Sequence, residues 1–247
     1  MLKRIALLRE RIENWETYPF SVPALRDFED LHLHARVCFF TGENGSGKST
    51  LLEAIAAHYG FGREGGTRNF LNNSTASNHS VDPLVRALRL SFDKRTGAGF
   101  FLRAESFFNV ASHIDELGVA DYYGGQSLHE QSHGESFFTL LEHKFQRNGL
   151  FLLDEPEAAL SPQRQLSFLV LLHDVLRAYN DAQFIISTHS PVLLGFPGAQ
   201  IVSFDDGHLH PIAYEDTSPF QIVRRFVTAR EDFLEELFAV DLRAEGE

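Results

Sequence analysis

One cysteine, Cys38, stands in a chain of 247 residues, so no disulfide can form within it. That excludes a cross-linked secreted scaffold and fits a reduced compartment. Within the apolar run VCFF the thiol reads as a small core residue. No stretch reaches the ~18–20 uninterrupted apolar residues of a membrane span. The N-terminal segment MLKRIALLRERIENWE is charged throughout and has no apolar signal core. The expectation is a cytoplasmic protein without export signal or membrane anchor. The twelve histidines are scattered along the chain and no CxxC exists, so no metal site of the zinc type is read. Positive charge is also scarce: 22 Lys and Arg against 34 Asp and Glu leave a net charge of −12. A surface of that sign repels phosphate backbones and excludes a whole-surface nucleic-acid binder. A local basic patch, for instance from Arg63, Arg68, Arg86 and Arg89, stays open.

Apolar residues, by contrast, are plentiful at 43%, with 23 phenylalanines concentrated in short runs. FEDLHLHA alternates apolar and polar residues like a half-exposed strand, and RVCFFT, LFLLDE and QFIIST read as strands, the last two buried. STLLEAIAAHYG carries helical spacing up to Gly60, residues 136–147 are helical, and residues 162–180 form a helix with proline in its first turn. VRALRLSF and GFFLRAES flank DKRTGAG as a hairpin, and QIVSFDDGHLHPIAY makes a second hairpin about Asp206-Gly207. Residues 106–118 and 217–240 read as helical. Alternating strands and helices predict an α/β fold: a mixed sheet with a parallel core, helices on both faces and antiparallel flanking strands. We read residues 1–247 as a single domain, with 61–80 a mobile loop and roughly 85–135 a smaller subdomain.

Two strand ends carry chemistry. Gly42-Glu43-Asn44-Gly45-Ser46-Gly47-Lys48-Ser49 fits G-x-x-x-x-G-K-[ST] in full, with a strand before it and a helix after it. Such a loop turns backbone N–H groups around a phosphate, and the helix N-terminus adds about half a positive charge. Lys48 would reach the β- and γ-phosphates, and Ser49 would ligate Mg²⁺; Thr50 follows in the same turn. These residues are the nucleotide-binding candidates of a P-loop NTPase. Leu150–Leu153 buries a second strand ending in Asp154-Glu155. Ligands in such sheets sit beyond the C-terminal strand ends. Asp154 would hold Mg²⁺, and Glu155 would orient or deprotonate the attacking water.

Asp154-Glu155-Pro156-Glu157 resembles the DEP-type Walker B strand of ABC ATPases, including the soluble SMC-like and OLD-like (overcoming-lysogenisation-defect) branches of bacterial AAA-family ATPases. Ser132-His133-Gly134-Glu135-Ser136 resembles a degenerate ABC signature (LSGGQ), and Ser187-Thr188-His189-Ser190 matches the switch-histidine loop. The resemblance covers roughly residues 25–205. It implies MgATP as the ligand, His189 as the γ-phosphate contact, and an ATP-sandwiched head-to-tail homodimer. Across that interface Ser132, Gly134 and Glu135 would act on the partner's nucleotide. By position Glu105 takes the place of the glutamine-loop residue near the metal, whereas Gln126 has the right type but lies just before the signature. Serine at 161 replaces the aspartate usual after Walker B, and Tyr18, Phe20 and Phe28 are the candidates for stacking on adenine. About 80 residues between phosphate loop and signature leave no room for a long coiled-coil arm. The expected activity is Mg-dependent ATP hydrolysis coupled to dimerisation. The alternatives are a slow nucleotide-gated switch recruiting DNA, a nuclease or a toxin component, and a transporter ATPase subunit.

Overall fold

VCFFT, GFFLR, GLFLLD and AQFIIS are apolar at nearly every position, and they form strands buried on both faces. The computed structural model describes residues 1–62, 79–104 and 133–244. In chain order the elements are β1 (Leu2–Leu7), α1 (Pro23–Arg26), β2 (Asp30–His32), β3 (Val37–Thr41) and α2 (Lys48–Tyr59). They continue with α3 (Asp82–Ala87), β4 (Leu88–Phe92), β5 (Gly99–Arg103), α4 (His133–Phe145), β6 (Gly149–Asp154) and α5 (Pro162–Ala178). The last are β7 (Ala182–Ser187), α6 (Pro191–Leu194), β8 (Gln200–Ser203), β9 (His210–Pro211), α7 (Ser218–Thr228) and α8 (Arg230–Ala244).

The main sheet has the order β5-β6-β7-β3-β8-β9, parallel except for the terminal β8–β9 pair. A smaller antiparallel sheet, β2-β1-β4, lies beside it. Successive side chains of a strand point to opposite faces, and the core divides accordingly. Cys38, Phe40, Leu152 and Ile185 face α2 and the small sheet. Phe39, Phe151, Leu153 and Ile186 face α4, α5 and α6. The thiol of Cys38 is fully buried, and that burial pushes its pKa far up, as a core residue requires. Gln183 joins the sheets: its buried amide accepts from Leu2 N–H at 2.7 Å and donates to Leu2 C=O at 2.9 Å.

The fold is the mixed α/β P-loop arrangement, with three departures from the sequence reading. Strands β4 and β5 do not form a hairpin: β4 pairs with β1 in the small sheet, and β5 runs parallel to β6 in the large one. The intervening turn carries the chain between sheets because GFFLR is buried on both faces, which a hairpin at the solvent edge would not allow. VRA, the start of the same run, belongs to α3. The charged N-terminus supplies β1, whose Leu2, Ile5 and Leu7 are buried. The turn at Asp205–Gly207 does join β8 to antiparallel β9. Residues 106–118 and most of 61–80 and 85–135 lie outside the described residues.

Candidate functional site

Parallel strand order brings the ends of β3, β6, β7 and β8 to one edge of the sheet, and the loops there hold the predicted chemistry. Between β3 and α2 the chain must curl tightly, and Gly42, Gly45 and Gly47 take φ of 140°, 79° and 104°. Side chains there would be strained, and a Cβ on Gly47 would press on Val22 and Leu25 at 3.1–3.2 Å. Lys48 is the first residue of α2, and its ammonium, 3% exposed as a residue, donates to the carbonyls of Gly42 and Glu43 at 2.7 Å each. Burial lowers its pKa, opposed by the charges of Glu155, Asp205, Asp154 and Glu157.

One residue on, Ser49 Oγ donates to Asp154 Oδ1 at 2.8 Å, joining the phosphate-loop helix to the end of β6. Burial raises the Asp154 pKa, while the Ser49 hydrogen bond and Arg103 oppose it. Arg103, at the end of β5, places Nε 3.4 Å from Asp154 Oδ2 and Nη1 3.3 Å from Glu53 Oε2. Glu155 follows in the left-handed region, φ 51° and ψ 52°, with its N–H donating to Ser187 C=O at 2.9 Å. That conformation costs a non-glycine residue roughly 1–2 kcal/mol. It turns the chain off the strand, and the Glu155 Oε1 comes 3.7 Å from His189 Nε2. His189 N–H donates to Glu157 Oε1 at 2.6 Å. Burial and Lys48 lower the His189 pKa against the pull of Glu155 and Asp205, so the ring is neutral at pH 7. Burial likewise raises the Glu157 pKa against that backbone hydrogen bond. Among the described residues His189 Nε2 and Glu157 Oε2 are buried without a hydrogen-bond partner.

Lys48, Ser49, Asp154, Glu155 and His189 therefore converge, although they lie on three separate loops. Gly134 and Glu135 fall in the first turn of α4, which packs against β5 and the 156–159 turn. Ser132 and Glu105, like Gln126, Arg63 and Arg68, lie outside the described residues. Phe20 and Phe28 are buried at 2% and 3% and belong to the core, which removes them as stacking surfaces. Tyr18 remains exposed beside the loop, its hydroxyl 2.9 Å from Thr50 Oγ1. Ser161 accepts from Arg164 N–H and caps α5.

Sequence reasoning passed over Asp205. Its Oδ1 accepts from Glu43 N–H at 2.8 Å and its Oδ2 from Ser203 Oγ at 3.2 Å, fixing the entry to the phosphate loop. The residue read only as part of a hairpin turn; its proximity depends on β8 lying next to β3. Arg103 was missed for the same reason, since only the pairing of β5 with β6 brings it to Asp154.

The residues fit a magnesium nucleotide. The amide-lined loop and buried lysine suit a polyphosphate, and a hydroxyl beside a carboxylate is the hard oxygen pair magnesium prefers. Comparison with known proteins agrees. The chain belongs to the AAA domain family of P-loop ATPases, whose model matches residues 11–148. A second model, "AAA domain, putative AbiEii toxin, Type IV TA system", matches residues 114–195. The zinc import ATP-binding protein ZnuC 1 of Aliivibrio fischeri is 26% identical over 155 residues, 62% of this chain. The chain spans 58% of the length of that relative. The SMC head domain from Thermotoga maritima aligns with a TM-score of 0.49 and 16% identity, over 86% of this chain and 99% of that one. CbiO1 of Clostridium perfringens, part of the ABC transporter complex CbiONQ, aligns at 0.46 and 17% identity, over 85% and 91%. The protein is an ATP-binding P-loop ATPase module with an AAA domain. No helix among the described residues is long and apolar enough to cross a membrane.

Proposed function

We propose that the chain hydrolyses ATP in a Mg-dependent reaction and that two copies sandwich the nucleotide head to tail. The observation that carries this reading is the 2.8 Å contact of Ser49 with Asp154 beside the buried Lys48. A cationic cradle and an acidic strand end share one location. Lys48 neutralises the β- and γ-phosphates once they replace the carbonyls it now contacts, aided by the loop amides and α2. Ser49 and Asp154 hold Mg²⁺, which when bound would neutralise charge developing on the phosphates. Glu155 takes the proton of the attacking water or orients it, and the neutral His189 donates a hydrogen bond to the γ-phosphate. Ser132, Gly134 and Glu135 act on the partner's nucleotide, and Glu105 completes the metal's surroundings. Tyr18, next to Thr50, offers the exposed ring for adenine.

A second reading makes turnover a slow timer for a state that recruits a nuclease, a toxin component or DNA. Ser161 favours it: a helix cap occupies the place where an aspartate would link the two active sites. The match to the toxin–antitoxin model favours a protein partner of that kind. The likeness to a zinc-import ATPase covers too little of that protein to favour a transporter role.

Phosphate release separates the possibilities. The Glu155→Gln protein should release phosphate at least ~100-fold more slowly than the native chain, the usual worth of a general base. With MgATP trapped it should self-associate at lower concentration than it does without nucleotide. Equal rates would remove Glu155 from the reaction, and a monomer at saturating MgATP would discard the sandwich.

A further inference from the structure

The hairpin of α7 and α8 leaves the body of the protein with its apolar sides uncovered. In α7, Ile222, Val223, Phe226 and Val227 recur at i, i+1, i+4 and i+5, one face of a helix. Their exposures are 54%, 45%, 41% and 73%, and α7 buries no residue. Arg224 and Arg225 border that stripe, next to Val227 and Ile222 on the helix surface, and Gln221 and Thr228 lie opposite it. In α8 the same spacing yields Phe233, Leu234, Leu237 and Phe238, the last two 49% and 57% exposed. An ion pair between Arg225 and Glu236 and a ring contact between Phe226 and Phe233 at 6.2 Å hold the helices together, so the two apolar faces adjoin. Single exposed apolar residues are ordinary on a soluble surface, but six large ones on two adjoining helices are not. Helices of 11 and 15 residues also gain little stability in water until such faces are packed.

We infer that this hairpin is a self-association surface: a second copy of the chain covers it, α7 of each copy lying on α8 of the other. Charge selects that occupant. Within α7 the charged residues are two arginines and no acid, whereas α8 sets Glu231, Asp232, Glu235, Glu236 and Asp241 against Arg230 and Arg243. A two-fold axis brings the basic helix onto the acidic one twice, as an isologous contact requires. Stacking α7 on α7 would oppose arginines. An anionic lipid surface is disfavoured by the five carboxylates along α8, which outnumber its two arginines, since helices that lie on membranes carry Lys and Arg on that border. Ser218, at the start of α7, borders the cleft it shares with Glu43, Asn44 and Gly45 of the phosphate loop. A partner held by the hairpin therefore stays beside the nucleotide site when no nucleotide is bound. This goes beyond the ATP sandwich and does not depend on it.

Light scattering on the full chain, without nucleotide or magnesium, tests the inference. The native protein should be a dimer at micromolar concentration. Val227→Glu should weaken dimerisation at least tenfold with an unchanged circular dichroism spectrum, because that side chain makes no core contact. Arg224→Glu should weaken it too, and adding Glu235→Arg in the same chain should restore it. A native chain that is monomeric overturns the inference, whether α7 is then protected from hydrogen exchange by the chain's own residues or the monomer sediments with anionic vesicles. A dimer unaffected by Val227→Glu overturns it as well.

Discussion

Asp154 carries its charge at a position where burial opposes it, which raises its pKa above the ordinary 3.8. Between 3.8 and that raised value the folded chain binds more protons than the unfolded one. The favourable contribution of the neutral acid is complete below the unfolded pKa and is lost as pH rises through the folded one. The ionised carboxylate therefore destabilises the nucleotide-free protein at neutral pH, and Glu157 acts with the same sign. His189 acts with the opposite sign: its pKa is lowered from 6.5, so stability falls as pH drops below that value. Asp154→Asn keeps an acceptor for Ser49 and removes the charge. Calorimetric melting of the nucleotide-free protein at pH 7.5 should place Asp154→Asn above the native chain, with the gap closing towards about pH 4. An Asn variant that melts lower at pH 7.5 would show that Arg103 outweighs burial. Strain at Glu155 fits a functional position as well, since a non-glycine residue is held in the left-handed region where the chain leaves β6.

At the level of elements, the register of β5 on β6 decides whether Arg103 meets Asp154. Gly99 sets that register: its φ is 146°, and a Cβ there would stand 2.0 Å from the Leu150 carbonyl oxygen. Backbone strain and overpacking together make Gly99→Ala cost about 3 kcal/mol or more. Thermal unfolding should fall by roughly 6–12 °C; a change under a degree would mean that the strand start is free to move. The same strand marks the limit of what periodicity reveals. The phosphate loop and LFLLDE were legible because strand, turn and helix are contiguous there. So was the meeting of Lys48, at the start of α2, with Asp154, at the end of β6, because parallel sheets gather their C-terminal strand ends. The β4–β5 hairpin was misread because a short apolar pair around a glycine turn looks the same whether the strands pair together or part to different sheets. β1 went unread because Lys3 and Arg4 interrupt its apolar residues, and its burial comes from a sheet partner far along the chain. Asp205 and Arg103 were invisible for a related reason: their roles follow from strand order, which no local pattern records.

In the whole molecule, the two sheets and their helices serve to hold one edge rigid. Gln183 ties the small sheet to β7, Asp205 ties β8 to the phosphate loop, and Ser49 ties α2 to β6. The edge so fixed presents an ammonium, two carboxylates and a neutral imidazole around a single cradle. The central claim is that these groups surround one magnesium nucleotide. Equilibrium titration of ATP, with and without magnesium, into the native chain and into Lys48→Ala and Asp154→Ala tests it most directly. Expected are magnesium-enhanced binding by the native protein, affinity at least tenfold lower for Lys48→Ala, and no magnesium enhancement for Asp154→Ala. Affinities equal among the three proteins, or indifferent to magnesium in the native chain, would contradict it.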